Sequence, residues 1–132
     1  MELGQAAGNE ARYKPRLHVV LYQPEIPPNT GAIGRTCVAI GAKLWLVKPL
    51  GFQLSTKTLR RAGLDYWKFL QWETVSHWEE LQVKLPDSRF WFFTKHGQIP
   101  YTHVSYQEKD VLVFGSESRG LPPSLLSCLL YT

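Results

Sequence analysis

The sequence predicts an α/β fold built on a parallel sheet flanked by helices, and three observations carry that expectation. Short β-branched or aromatic runs alternate with amphipathic stretches, the pattern of strands joined by helical crossovers. The runs are apolar almost throughout, as strands covered on both faces are. A chain of 132 residues, 44% hydrophobic and 20% charged, forms one ordinary domain that can bury a sizeable core. Disorder and fibrous repeats are set aside by the same composition.

In chain order, Met1 to Arg16 is polar and lacks the apolar centre and cleavage pattern of a secretory signal. Residues 1–16 are expected to form a tail before a domain spanning 17–132. His18 to Tyr22 (HVVLY) supplies the first buried strand. Asn29 is placed to cap a helix that runs to Ile40 and stops at Gly41, with Ile33, Cys37 and Ile40 as its apolar stripe. Leu44 to Val47 (LWLV) is the second strand, and Lys68 to Trp72 is a further candidate. Ser76-His77-Trp78-Glu79 has capping-box spacing and opens a helix through Lys84, ended by Leu85-Pro86. Arg89 to Phe93 (RFWFF) and Val111 to Phe114 (VLVF) complete the strands, and a last helix begins near Pro122. There is no internal repeat or low-complexity segment.

Several chemistries lose support. No apolar run approaches the ~20 residues that span a bilayer, so no membrane partner is expected. Cys37 and Cys128 form no Cys-x-x-Cys pair, and His18, His77, His96 and His103 take no metal-ligand spacing, so neither a disulfide framework nor a metal is expected. There is no Walker sequence and no nucleophile elbow. A reducing, cytoplasmic setting fits; an organellar address is the alternative, against which Met1 to Arg16 holds Glu2 and Glu10 and no serine. The net charge of +4 is concentrated: Lys43 to Lys68 holds six basic residues against one acid, Asp65. That stretch is either a solvated face or a phosphate-contacting patch.

Two loops carry the chemistry. The first runs from Gln23 to Arg35, where Pro24, Pro27 and Pro28 stiffen the approach to the helix. Gly31 and Gly34 strip side chains from its first turns, although each glycine costs about 1 kcal/mol relative to alanine. Either a ligand or neighbouring chain approaches the backbone there, or the glycines serve packing. Arg35 is roughly 200° around the helix from Ile33, off the apolar stripe. It is either a surface arginine or a cation aimed at a phosphate or a developing alkoxide. The second loop, Gly115 to Pro122, follows a strand and precedes a helix. Such a place binds ligands in α/β proteins, and it also fits an ordinary turn with its glycines at positive φ.

Taken together, Asn29-x-Gly31-x-x-x-Arg35-x-x-x-x-x-Gly41 and Phe114-Gly115-x-Glu117-x-x-Gly120-Leu121-Pro122 resemble the first two motifs of the SpoU-type RNA 2′-O-ribose methyltransferases. Leu21-Tyr22-Gln23-Pro24-Glu25-Ile26-Pro27 and Leu59-Arg60-Arg61-Ala62-Gly63-Leu64-Asp65-Tyr66 are similar to the small tRNA wobble-ribose methyltransferases within that family. The resemblance implies a SPOUT-type α/β-knot fold, a homodimer, and S-adenosyl-L-methionine bound in the knotted loops. It implies methylation of the tRNA anticodon wobble nucleotide, cytidine or uridine 34, on its ribose 2′-hydroxyl. Arg35 would work at that hydroxyl with support from Asn29. Gly115, Glu117, Gly120 and Leu121 would bind the cofactor, and Phe93 and Thr94 would line the other side of the adenosyl pocket. Lys57, Arg60 and Arg61, spaced to share a helical face, would meet the RNA phosphates.

One departure stands out. Family members continue past Leu-Pro to a further strand and a Ser-Leu-Asn-type third motif, whereas Pro122-Pro123 is followed here by Ser124 to Thr132, SLLSCLLYT. The chain is therefore expected to be C-terminally truncated relative to the family, with the knot region incomplete and the neighbourhood of Trp91 and Phe92 uncovered. Alternative readings are a noncatalytic RNA-binding protein, an inactive truncated form, or a methyltransferase acting on ribosomal RNA.

Overall fold

The structure is a computed structural model and describes residues 14–53, 65–94 and 105–126. Five strands, β1 (Leu17–Tyr22), β2 (Ala42–Val47), β3 (Trp72–Val75), β4 (Phe90–Phe93) and β5 (Val111–Phe114), form one sheet in the order β3-β2-β1-β5-β4. Every pairing is parallel. The helices are α1 (Pro27–Ile40), α2 (Trp78–Lys84) and α3 (Pro123–Leu126), with a short 3₁₀ helix at Asp65–Phe69. The expected α/β parallel sheet is therefore present. The knot would be closed by chain past Leu126, which lies outside the described residues. No helix among the described residues is long and apolar enough to cross a membrane.

Alternate residues of each strand feed two cores. Val19, Leu21, Leu44 and Leu46 pack with Cys37 of α1 and with Trp67 and Leu70 on one face. Val20, Trp45, Val47 and Val113 pack with Trp78 and Leu81 of α2 and with Leu121 and Leu125 on the other. Burial on both faces is why the strands read as continuous apolar runs.

Helix α1 ends as predicted, at Gly41 with φ 76° and its N–H donating to the Cys37 carbonyl. Its start differs. Ile26 is the N-cap, Pro27 and Pro28 occupy the first turn, and Asn29 already lies inside the helix. Proline is suited to that first turn because its φ is preset and its missing N–H is not needed. The buried stripe also differs: Thr30, Gly31, Gly34 and Cys37 are buried, while Ile40 is 43% exposed. A stripe of small residues lets α1 sit close. A Cβ on Gly34 would lie 3.1 Å from Trp67, 3.2 Å from Leu70 and 3.4 Å from the Tyr66 hydroxyl. Gly34 thus serves packing against the 3₁₀ helix of its own chain.

Other boundaries move for physical reasons. Lys68 belongs to the 3₁₀ helix, and the third strand starts at Trp72, paired with Leu44. Phe69, also in the 3₁₀ helix, is 61% exposed. Helix α2 is capped by His77 rather than Ser76: the Glu80 N–H donates to His77 Nδ1 at 3.2 Å, and Ser76 N–H donates to the Glu80 carboxylate at 2.7 Å. Trp91 and Phe92, whose neighbourhood was expected to be uncovered, are themselves buried. Phe92 packs against Trp78, and Trp91 Nε1 donates to Asp110 Oδ2 at 3.0 Å. Strand β1 starts at Leu17, and Arg16 just before it is held by its N–H donating to the Gly41 carbonyl and its carbonyl accepting from Lys109 N–H.

Candidate active site at the carboxyl edge of the sheet

Because all five strands run the same way, their C-terminal ends share one edge. The chain leaves β1 toward β2 on one side, while β5 pairs with β1 on the other. The loops after β1 and β5 therefore part and leave a crevice at the point where strand order reverses. A depression of about 380 Å³ lies there. Leu21, Ile33 and Phe114 give it an apolar wall, and Asn29, Thr30 and Glu117 are its polar groups.

The two loops are clasped by a pair of exchanged carboxylates. Glu117 accepts from the N–H groups of Glu25 at 2.9 Å and Ile26 at 3.0 Å, and from the Asn29 side-chain amide at 3.5 Å. The free N–H groups at the start of α1 thereby meet a carboxylate from the far end of the chain. In return, Glu25 accepts from Ser118 N–H at 2.8 Å and from its hydroxyl at 2.8 and 2.9 Å. Arg119 adds a bond to the Gln23 side chain at 3.3 Å. The Ser118 N–H and hydroxyl hold the Glu25 carboxyl below its ordinary value. Burial pushes Glu117 up, but the N–H groups around it outweigh that, and its value also falls. Both stay ionised near neutrality.

The turn after β5 is closed by reciprocal backbone bonds between Ser116 and Gly120. A Cβ on Gly115 would lie 2.2 Å from the Gly120 carbonyl carbon, so only glycine fits. The Leu121 side chain is in the core and can offer a ligand only its backbone. Phe93, paired with Phe114 across the β4–β5 ladder, stacks on it with centroids 4.7 Å apart, and Thr94 follows at the same edge.

Asn29 faces the depression, but Arg35 does not line it. Arg35 lies on another flank of α1, its guanidinium 4.6 Å from the centre of the Tyr66 ring. Lys57, Arg60 and Arg61 lie outside the described residues. Lys43, at the amino edge of the sheet, pairs with Glu73 at 2.9 Å and covers the Trp45 ring, so it is committed to the fold rather than to an anion at the crevice. Among the described residues, no group of three His, Cys, Asp or Glu side chains could hold a metal.

The SpoU rRNA Methylase family model matches residues 16–129. The chain belongs to that family. This SpoU domain is 48% identical over 107 residues to a tRNA (cytidine(34)-2′-O)-methyltransferase of Methylovorus glucosotrophus, covering 81% of this chain and 70% of that one. A solved structure described as giving insights into 2-OH methylation of C/U34 on tRNA superposes with a TM-score of 0.81 at 43% identity, covering 86% of this chain and 75% of the other. An AdoMet-bound rRNA methyltransferase from Sinorhizobium meliloti superposes with a TM-score of 0.74 at 25% identity, over 89% of this chain and 49% of that one.

Within the SpoU domain, the residues around the crevice fit an adenosylated cofactor. The wall is apolar, Thr30 Oγ1 is buried with no hydrogen-bond partner among the described residues, and the bare face of Gly120 opens onto unfilled space. Residues that motif reading left without a role are Glu25, Ser118, Thr30 and Tyr66. Nothing local signals that Glu25 pairs with a serine 93 positions away; only the fold brings them together.

Proposed function

We propose that this chain is an RNA 2′-O-ribose methyltransferase acting on the wobble nucleotide of tRNA. The observation that carries the reading is the meeting of Asn29 with Glu117, which joins the two motifs at the β1–β5 crevice. Relatives named for cytidine 34 methylation support the substrate, and an AdoMet-bound neighbour supports the cofactor. S-adenosyl-L-methionine, when bound, supplies an electrophilic methyl group. The Gly115 to Leu121 turn and the end of β4 at Phe93 and Thr94 would hold it, chiefly through backbone groups and the Phe93–Phe114 stack.

The chain's own residues orient the ribose and stabilise charge. Glu117 fixes the start of α1 and the Asn29 amide, so Asn29 presents a fixed polar group to the depression. Free arginine is protonated at physiological pH and is a poor base. Arg35 therefore acts by stabilising the developing 2′-alkoxide, while an RNA phosphate oxygen takes up the 2′-hydroxyl proton. Its place outside the depression of its own chain supports a homodimer in which the guanidinium of one protomer serves the crevice of its partner.

The test is methyl transfer from labelled S-adenosyl-L-methionine to tRNA by the purified chain. Arg35→Ala is expected to lower kcat at least ~100-fold, the scale of losing one transition-state donor, and tRNA with 2′-deoxycytidine at position 34 is expected to accept no methyl there. Mixed Arg35→Ala and Asn29→Ala protomers are expected to recover activity that neither has alone. Full activity of Arg35→Ala would overturn the reading. Transfer to ribosomal RNA alone would replace the substrate.

A further inference from the structure

We infer that Tyr66 is a positioning residue that holds the Arg35 guanidinium in its working direction, an inference that rests on the methyl-transfer reading above. Arg35 is exposed, and a long exposed side chain on a helix samples many rotamers. Here it is not left free. Its guanidinium carbon lies 4.6 Å from the Tyr66 ring centre, within the range of a cation–π contact. The Tyr66 hydroxyl in turn donates to the Gly31 carbonyl, which is the carbonyl that the i→i−4 ladder assigns to the Arg35 amide. One side chain thus engages the same helical turn at both ends.

The platform is itself fixed. Tyr66 sits in the 3₁₀ helix beside Trp67, which is buried in the α1-side core. That 3₁₀ helix packs onto α1 through the bare face of Gly34, one residue before Arg35. Burial raises the Tyr66 phenol above its ordinary value, against the opposing pull of Arg35, so the hydroxyl remains a donor wherever the enzyme works. Gly34, Tyr66 and Arg35 form one unit: the glycine lets Trp67 and Leu70, beside Tyr66, close onto α1, the Gly31 carbonyl anchors the phenol, and the ring sets the cation.

The test compares Tyr66→Phe, which keeps the ring and loses the anchor, with Tyr66→Leu, which loses both. The readouts are kcat, KM for tRNA, the dissociation constant of S-adenosyl-L-methionine, and the Arg35 Nε–H resonance, assigned through Arg35→Lys. In the unsubstituted protein that resonance is expected to show the upfield displacement of a group above an aromatic ring, and in Tyr66→Phe, which has lost the anchor, a smaller one. In Tyr66→Leu the displacement is lost and kcat falls on the order of tenfold, with KM and cofactor affinity within about twofold. An Arg35 resonance unchanged by Tyr66→Leu, or an unchanged kcat, overturns the inference. Should Tyr66→Leu fail to fold, the other two proteins still decide: no upfield displacement of the Arg35 resonance in the unsubstituted chain, or a displacement lost in Tyr66→Phe with kcat unchanged, overturns it. If the unsubstituted chain transfers no methyl to any RNA, the functional reading fails, while the resonance still reports whether Tyr66 holds Arg35.

Discussion

Two glycines of this chain answer to different constraints, and one substitution at each separates them. Alanine at Gly115 would put its Cβ 2.2 Å from the Gly120 carbonyl carbon and 2.4 Å from the Leu121 nitrogen, backbone atoms that cannot yield without opening the turn. Gly115→Ala is expected to cost about 1–3 kcal/mol in urea denaturation and to abolish cofactor binding. At Gly34 the neighbours are the ends of the Trp67 and Leu70 side chains at 3.1 and 3.2 Å, which can shift, and alanine gains about 1 kcal/mol of helix propensity. Gly34→Ala is therefore expected to stay within about 1 kcal/mol of the unsubstituted protein. A reversed ranking would show that the β5 turn is looser than its geometry. Motif spacing alone left open whether Gly34 admits a ligand or a neighbour within the chain; the Trp67 and Leu70 contacts decide for the latter.

At the scale of elements, α1 shows where sequence reasoning succeeds and where it stops. Its end is local: Gly41 adopts a left-handed conformation and its N–H returns to Cys37, and a lone glycine after an amphipathic run announces it. Its beginning is not local, because no side chain near Ile26 caps it; the acceptor for the Glu25 and Ile26 N–H groups is Glu117, more than 90 residues on. The same limit applies to β3, whose start is set by pairing with Leu44 rather than by its own run of residues. Asn29, Gly115 and Glu117, which motif spacing singled out, line one depression, whereas Arg35 does not; the Glu25–Ser118 half of the clasp had no local signal. Glu117→Ala is expected to destabilise the protein by about 1 kcal/mol, as loss of a helix cap does, and to weaken cofactor binding more than Ser118→Ala. Both carboxyls have folded values below the ordinary 4.5. Their contribution is complete above that value and is lost as pH falls through the lower folded value, so cofactor affinity should decline in acid below about pH 4.5.

For the molecule as a whole, the edge of the sheet opposite the crevice sets the response to mild acid. His18 is held down to about 4, first by burial and then by Lys43 and Lys109. Its Nδ1 accepts from Trp45 Nε1 at 3.0 Å, a bond that requires the neutral ring. The unfolded chain takes up a proton at its ordinary value of 6.5 and the folded chain does not, so stability falls as pH drops from 6.5 to about 4. A shift of that size corresponds to at most about 3 kcal/mol. With the ring partly open to solvent, roughly 1–2 kcal/mol is expected. Urea denaturation at pH 7 and pH 4.5 checks this, and His18→Asn, which keeps an acceptor for Trp45 without titrating, should remove most of the difference. An equal slope in both proteins would place the acid sensitivity elsewhere.

The pairing of β1 with both β2 and β5 also bears on how the chain is made. On the ribosome, β1 emerges early and acquires β2 after about twenty more residues, but its other edge stays unpaired until Val111 to Phe114 leave the exit tunnel. An unpaired apolar strand edge is open to wrong partners, and closing so long a loop is slow. The first strand to be synthesised is thus among the last to be completed. The crevice, its clasp and any affinity for a cofactor come into being together once the turn after β5 has emerged, so a nascent chain that has not yet exposed Glu117 is chemically silent.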